Sequence, residues 1–320
     1  MEDYNWYEIF IDSLYERFPK KSQLAQEIMN LLCLEREAVY RRLRKDVMFT
    51  FQEISKMAAA WNVSLDEIMG INIGKVTFQM TPMNYLVPTK KELINLKRKV
   101  KLIEHLSDSF NSEFMEVSNR IPRPLSTSFM ILYRFEIFRW AYQYHNDEAL
   151  KQFDKIILPT EVSFEINRYN KYVKHVTETH LLLDEMVFEY LVNNILYFHS
   201  ILLISDKDKE KIKEALYSLL DYLMLIASDG RYPETQKKVN LYISQINIDT
   251  NYSYFYTEQF KACRVHAFGK YDISTYELEM ISLFKNLMHL KKRASIQISE
   301  VNEKSRIEYF MKQRKLVDSL

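Results

Sequence analysis

Seven histidines, two cysteines and 43 carboxylates are the groups with which this 320-residue chain could do acid-base, nucleophilic or metal chemistry. Their spacing argues against all three. His175 and His180 stand five apart, where two imidazoles on one helical face for a metal need a spacing of four, and no H-E-x-x-H occurs. A zinc site is therefore not expected. Cys263 and His266 alternate to opposite faces of a strand, so a thiol-imidazole pair fails on geometry. Asp184 and Glu185 are sequence neighbours and diverge around a helix. Only four glycines and seven prolines occur, which leaves no G-x-G-x-x-G, no phosphate-binding G-x-x-x-x-G-K-[ST] and no G-x-S-x-G nucleophile elbow. No catalytic residue, cofactor or metal is expected, and the chain does not read as an enzyme.

A different chemistry is concentrated near the N-terminus. From Arg36 to Lys45 there are five basic residues (Arg36, Arg41, Arg42, Arg44 and Lys45) and one acid, Glu37, on a chain whose formal charge is only +1. Helical spacing puts Glu35, Arg36, Glu37, Tyr40, Arg41 and Arg44 on the side not needed for packing. Cations neutralise phosphates, while arginine forks and other hydrogen-bonding side chains read base edges, so a positive helix of this kind suits the major groove. Arg42 is expected to turn toward neighbouring helices, and Tyr40 reads equally as a packing residue.

Elements at helical spacing must position that face. Leu24, Ile28 and Leu31 form one stripe, Leu32, Cys33 and Leu34 form a short apolar corner, and Val39 with Leu43 anchors a second helix on the first. Residues 1–72 thus read as a bundle of four to five helices with a helix-turn-helix, and the weakly patterned residues 73–88 as a connector. Beyond it, Thr89 can cap a helix through KKELINLKRKVKLIEHL, whose basic face from Lys90 to Lys101 reads as solvated, with an added phosphate-contacting surface as the alternative. NRIPRPLSTS reads as a loop, and several further helices follow to about Ser228. Alternation at Val239, Leu241 and Ile243, at Tyr252, Tyr254 and Tyr256, and at Cys263, Val265 and Ala267 predicts a three-stranded antiparallel meander near 238–268, before helices return from Ser274. The predicted class is mainly α: a helix-turn-helix bundle, then a larger helical domain over 89–320 with a small antiparallel meander.

The segments LAQEI, LCLEREAVYRRL, FTFQEISKMA and NVSLDEIMG resemble the helix-turn-helix domain of bacterial lambda-repressor-like regulators. More narrowly, they are similar to regulators with a V-Y-R-R-L-R helix before F-T-F-x-E-I and an S-L-D turn. NIDTNYSYFY and EKSRIEYFMKQRKLVDSL also resemble the C-terminal region of that group. The resemblance implies that the helix from Glu35 to Lys45 enters the major groove, with base or phosphate contacts from Arg36, Glu37, Tyr40, Arg41, Arg44 and Lys45, and that Ser22 and Gln23 meet backbone phosphate. Cys33 stands where that class has glycine, and Met29 where it has a small residue. A left-handed turn without glycine costs about 1 kcal/mol, so a wider corner is expected here.

The expectation is a sequence-specific transcriptional regulator of double-stranded DNA, acting as a homodimer on a palindromic operator, with the C-terminal domain carrying the dimer interface and room for a small-molecule or protein effector. A helical protein-interaction scaffold is the alternative. Two widely separated cysteines suit a reducing, cytoplasmic setting. The N-terminus MEDYNWYEIF lacks the pattern of a secretory signal, and charges at Asp184, Glu185 and Glu189 argue against a membrane span in the apolar run Leu181–Ile204.

Overall fold

The computed structural model describes residues 5–18, 20–61, 63–69, 76–144, 151–267 and 271–320. The chain divides into two compact units, Met1–Val76 and Thr77–Leu320. The first holds α1 (Trp6–Arg17), α2 (Lys21–Leu32), α3 (Arg36–Leu43), α4 (Phe51–Trp61) and the single turn α5 (Leu65–Ile68). Its core is Phe10, Leu14, Leu24, Ile28, Val39, Leu43, Ile54 and Met57, the positions at which apolar side chains recur with helical period.

The second unit runs β1 (Gln79–Thr81), α6 (Lys90–Asp108), β2 (Glu113–Ser118), α7 (Arg123–Ser126), α8 (Met130–Tyr144), a 3-10 turn at Phe153–Lys155, α9 (Thr160–Val173), β3 (Glu178–Asp184), α10 (Val187–Ser200), α11 (Asp206–Asp229), β4 (Lys238–Ser244), β5 (Asn251–Tyr256), β6 (Lys261–Ala267), β7 (Tyr271–Thr275), α12 (Leu278–Arg293), β8 (Ile296–Gln297) and α13 (Glu303–Asp318). The strands form one mixed sheet of eight in the order β1-β7-β6-β5-β2-β3-β4-β8, with β2, β3 and β4 parallel and the other pairs antiparallel.

This corrects the small meander. Helix is still the majority at 57%, with 15% strand, but the sheet is a full layer. β4 does not pair with β5; β2 and β3 lie between them, and β7 supplies the third strand of the meander with β5 and β6. The physical reason is burial on both faces. In β3, Leu181 and Leu183 enter the core under α8, α10 and α11 while Leu182 enters the opposite core, so the strand reads as an unbroken apolar run rather than an alternation. β2 hides the same way, with Phe114 on one side and Met115 and Val117 on the other. The run Leu181–Ile204 is the end of β3 followed by α10, and no helix among the described residues is long and apolar enough to cross a membrane.

The expected connector also needs correction. Its residues 73–75 lie outside the described residues, but 77–88 belongs to the second unit: β1 pairs with β7, and Met83, Tyr85 and Leu86 are buried. NRIPRPLSTS likewise contains α7.

The two faces of the sheet are covered unequally. One lies under α6, α8, α9, α10, α11 and α13, and the other under α12, which contributes Ile281 and Met288. The crossovers β2 to β3 and β3 to β4 carry α7–α9 and α10–α11, as parallel pairing requires. α11 ends at Gly230, which takes φ +64° and donates its N–H to the Ile226 carbonyl; a Cβ there would meet the Glu300 side chain at 2.4 Å.

On the heavily covered face, β7 carries a fully buried carboxylate, Asp272. Arg123 of α7 donates to both its oxygens at 3.1 Å, Lys99 of α6 donates at 2.9 Å, and His266 of β6 donates from Nδ1 at 2.7 Å. Lys99 thus leaves the basic face of α6, which reads in sequence as solvated, and is drawn inward. Arg264 stands 3.9 Å from the same carboxylate, with its guanidinium over the Phe255 ring. These cations hold Asp272 well below the usual carboxylate range despite burial, and burial lowers Lys99 to about 8.

Burial depresses His266 to about 3 and, on β3, His180 to about 4. An unfolded imidazole protonates near 6.5, so below that pH the unfolded chain binds more protons and stability falls; above it the contribution is fully present. The stability of the second unit in urea unfolding is expected to fall between pH 7 and pH 5 by about 2 kcal/mol for each depressed imidazole, offset by about the amount of one imidazole because Glu116, which burial raises to about 7, takes up its proton in the folded state over the same range. His266→Asn should remove part of that drop; a slope unchanged by the substitution would contradict this account.

Candidate nucleic-acid interface

α2 and α3 meet at Cys33, which adopts φ 54° and ψ 42°. The corner is therefore the tight left-handed turn that glycine usually occupies, and the wider turn expected from the missing glycine does not form. The αL residue closes α2 and leaves only Leu34 and Glu35 before α3 begins.

Two devices then fix α3. Tyr7 of α1 donates its hydroxyl to the Arg42 carbonyl at 3.2 Å and accepts the Phe49 N–H at 3.0 Å, tying both ends of the α3-α4 loop to the first helix. Glu53 of α4 accepts the Thr50 N–H at 2.7 Å while the Thr50 hydroxyl accepts the Glu53 N–H, a capping box. The same carboxylate receives the Arg42 guanidinium at 3.1 and 3.3 Å, and Arg42 also donates to the Ala38 carbonyl. Arg42 is thus a brace between α3 and α4. This dual use of Glu53 is visible in sequence only as its position three residues after Thr50, which signals a cap and says nothing of Arg42.

The outer side of α3 carries the remaining candidates. Arg36 is exposed, with its guanidinium 5.6 Å from the centre of the Tyr40 ring. Tyr40 is half-buried against the core of the unit, so one ring both packs and supports a cation. Arg41 is exposed and its side chain has no hydrogen bond or ion pair among the described residues. Ser22 and Gln23 are exposed in the first turn of α2, where the Gln23 N–H is already bound to the Lys20 carbonyl at 2.9 Å.

Arg44 and Lys45 differ in state from the others. Arg44 donates to Glu37 and to Asp46, each at 3.1 Å, and these bonds raise its pKa further. Lys45 takes φ +67° and pairs with Glu8 of α1, whose carboxyl the ammonium lowers. Both are exposed pairs, which water and salt screen and which a phosphate can displace at small cost. Composition could not reveal this compensation, because Glu8 and Asp46 lie outside the basic stretch. Met48 and Phe51, both strongly exposed beside the α3-α4 loop, are the other surface residues that sequence reading left unassigned.

Among the described residues no cluster of three or more His, Cys, Asp or Glu side chains is placed to hold a metal ion. Cys263 is buried on the α12 side of the sheet, while His266 is bound to Asp272 on the other.

Cys33→Gly is expected to stabilise the first unit by about 0.5–1 kcal/mol by relieving the αL penalty, and Cys33→Val to destabilise it, both read as shifts in Tm. Glu53→Ala should cost about 1–2 kcal/mol through the lost cap and the stranded Arg42. Arg42→Ala combined with Glu53→Ala should cost less than the sum of the two single changes.

No family model, curated protein or solved structure matches the chain.

Proposed function

We propose that the first unit binds double-stranded DNA and that the protein is a transcriptional regulator. The observation that supports this most is the outer face of α3, where Arg36 and Arg41 are exposed on a helix braced from three sides by Tyr7, Glu53 and the Cys33 corner. A rigid helix loses little freedom on entering the major groove, so its arginine forks are available for base edges or phosphates. Arg44 and Lys45 would add phosphate contacts by exchanging Glu37, Asp46 and Glu8 for the backbone, and Ser22 and Gln23 would meet a phosphate at the start of α2.

One such helix spans few base pairs. Useful specificity then calls for a homodimer on a palindromic site, with half-sites about one helical turn apart and the second unit as the place for self-association. The exposed Met48 and Phe51 favour a second reading, in which the same face docks on another protein. Salt separates the two: phosphate contact predicts a steep log-linear loss of affinity as salt rises, and apolar docking does not.

The test is selection of bound fragments from a random DNA pool by the full chain at physiological salt. One palindromic motif should be enriched. Arg41→Ala should weaken binding to it by about 1–3 kcal/mol if the contact is bidentate to a base, without altering Tm. Equal affinity of wild type and variant would remove Arg41 from the interface, and enrichment of no motif by the folded protein would count against DNA recognition itself.

A further inference from the structure

The second unit contains a polar cavity of about 420 Å³ at the C-terminal end of β2, walled by α8, α10 and the facing ends of β5 and β6. Its size falls within the range of small-molecule sites, and the carboxyl end of a parallel strand, where the neighbouring connections diverge, is where open sheets hold ligands.

Its polar groups are incompletely used by the protein. Arg139 of α8 is half-buried, its Nε is sealed from solvent without a hydrogen-bond partner, and its guanidinium forms no ion pair among the described residues, with Glu136 one turn away as the nearby carboxylate. A sealed donor in that state is a cost to the fold. The charged groups on the wall are Arg120, Glu136, Arg139 and His266, of which His266 is neutral, so cation exceeds anion by one. Glu116, buried in the β2 strand behind them, is raised to about 7 by desolvation and only partly offsets that excess.

The neutral groups are directional. His266 Nδ1 is committed as donor to the Asp272 carboxylate, which fixes the tautomer and leaves Nε2 as an acceptor at the cavity wall. Asn194 donates from Nδ2 to the Tyr190 carbonyl, and Asn251 accepts the Asn119 N–H through Oδ1 at 2.6 Å. The opposite ends of these two amides, an acceptor on Asn194 and a donor on Asn251, have no partner among the described residues. Arg139, the Asn251 amide donor and the acceptors on Asn194 and His266 are thus among the groups this wall offers. Hydroxyl groups, which both donate and accept, satisfy such a mixed set, and an anionic group satisfies Arg139.

We propose that this cavity binds a small polyhydroxylated anion, of the sugar acid or sugar phosphate class, with Arg139 holding the anionic group and Asn194, Asn251 and His266 holding hydroxyls. The site stands independently of DNA binding, because every group in it belongs to the second unit.

Titration calorimetry of the full chain without DNA, using gluconate, glucose 6-phosphate and glucose, tests it. At least one of the two anions should bind saturably, one per chain, with glucose at least tenfold weaker; which anion binds distinguishes carboxylate from phosphate. Arg139→Leu should weaken that binding at least tenfold and, by removing a donor whose Nε is sealed without a partner, leave Tm unchanged or raised. Asn194→Ala should weaken binding severalfold at unchanged Tm. Binding of neither anion, glucose binding as tightly as the anions, unaltered affinity in both variants, or a lowered Tm in Arg139→Leu would each overturn the proposal.

Discussion

A single carboxylate organises the second unit. Asp272 has no exposed surface, and it can be buried as an anion only because cations are delivered to it from three separate stretches of chain, Lys99 on α6, Arg123 on α7 and Arg264 on β6, with the neutral His266 of β6 adding a hydrogen bond. An isolated charge in such a place would cost far more than the fold's net stability, so the register of β6 on β7, the seat of α7 and the approach of α6 are mutually constrained. The network also acts outward. By accepting the Nδ1–H of His266, Asp272 decides which nitrogen of that ring remains as an acceptor at the neighbouring cavity.

The first unit solves a lesser version of the same problem with neutral and surface groups. Tyr7 and Glu53 each satisfy two demands, closing a backbone donor and bracing α3, so a bundle with a small core still presents one helix rigidly. The outward cations are of two kinds. Arg36 and Arg41 are held by at most a ring contact, whereas Arg44 and Lys45 rest on nearby carboxylates that compete with any incoming phosphate.

What was legible in the sequence follows period and length. Helices with a single buried stripe were plain: α2, α3 and α6 carry Leu24 and Ile28, Val39 and Leu43, and Val100 and Ile103 at the positions their spacing dictates. β5 and β6 were visible as well, since Tyr252 and Tyr254, and Cys263 and Val265, alternate on their α12 side, although Phe255 and Ala262 are buried on the other. β2 and β3 were not, because a strand buried on both sides has no polar beat to betray it. β1 and β8, three and two residues long, are too short to carry a pattern, and α7 hides in a segment whose prolines read as a loop. At the candidate interface the residue types were readable and their ion pairs were not, since Glu8 reaches Lys45 across 37 positions of sequence. The polar cavity was beyond reach for the same reason: its walls come from segments spread between Asn119 and His266, and none of its groups forms a local motif.

The strand order has a consequence for how the chain is made. β1 leaves the ribosome early yet has β7 as its one neighbour, and the segment just before it, at Thr77, meets Glu277 across 200 residues of sequence. β2 must likewise wait for β3 and β5, while the helical first unit has its own core and needs nothing that follows it. Since synthesis proceeds at about 5–20 residues per second, β1 spends on the order of ten seconds or more unpaired. A strand of three residues, ending in a threonine and followed at once by Pro82, is poorly suited to recruiting a stranger in that interval. The brevity of β1 is thus a protection during translation as much as an economy in the finished sheet.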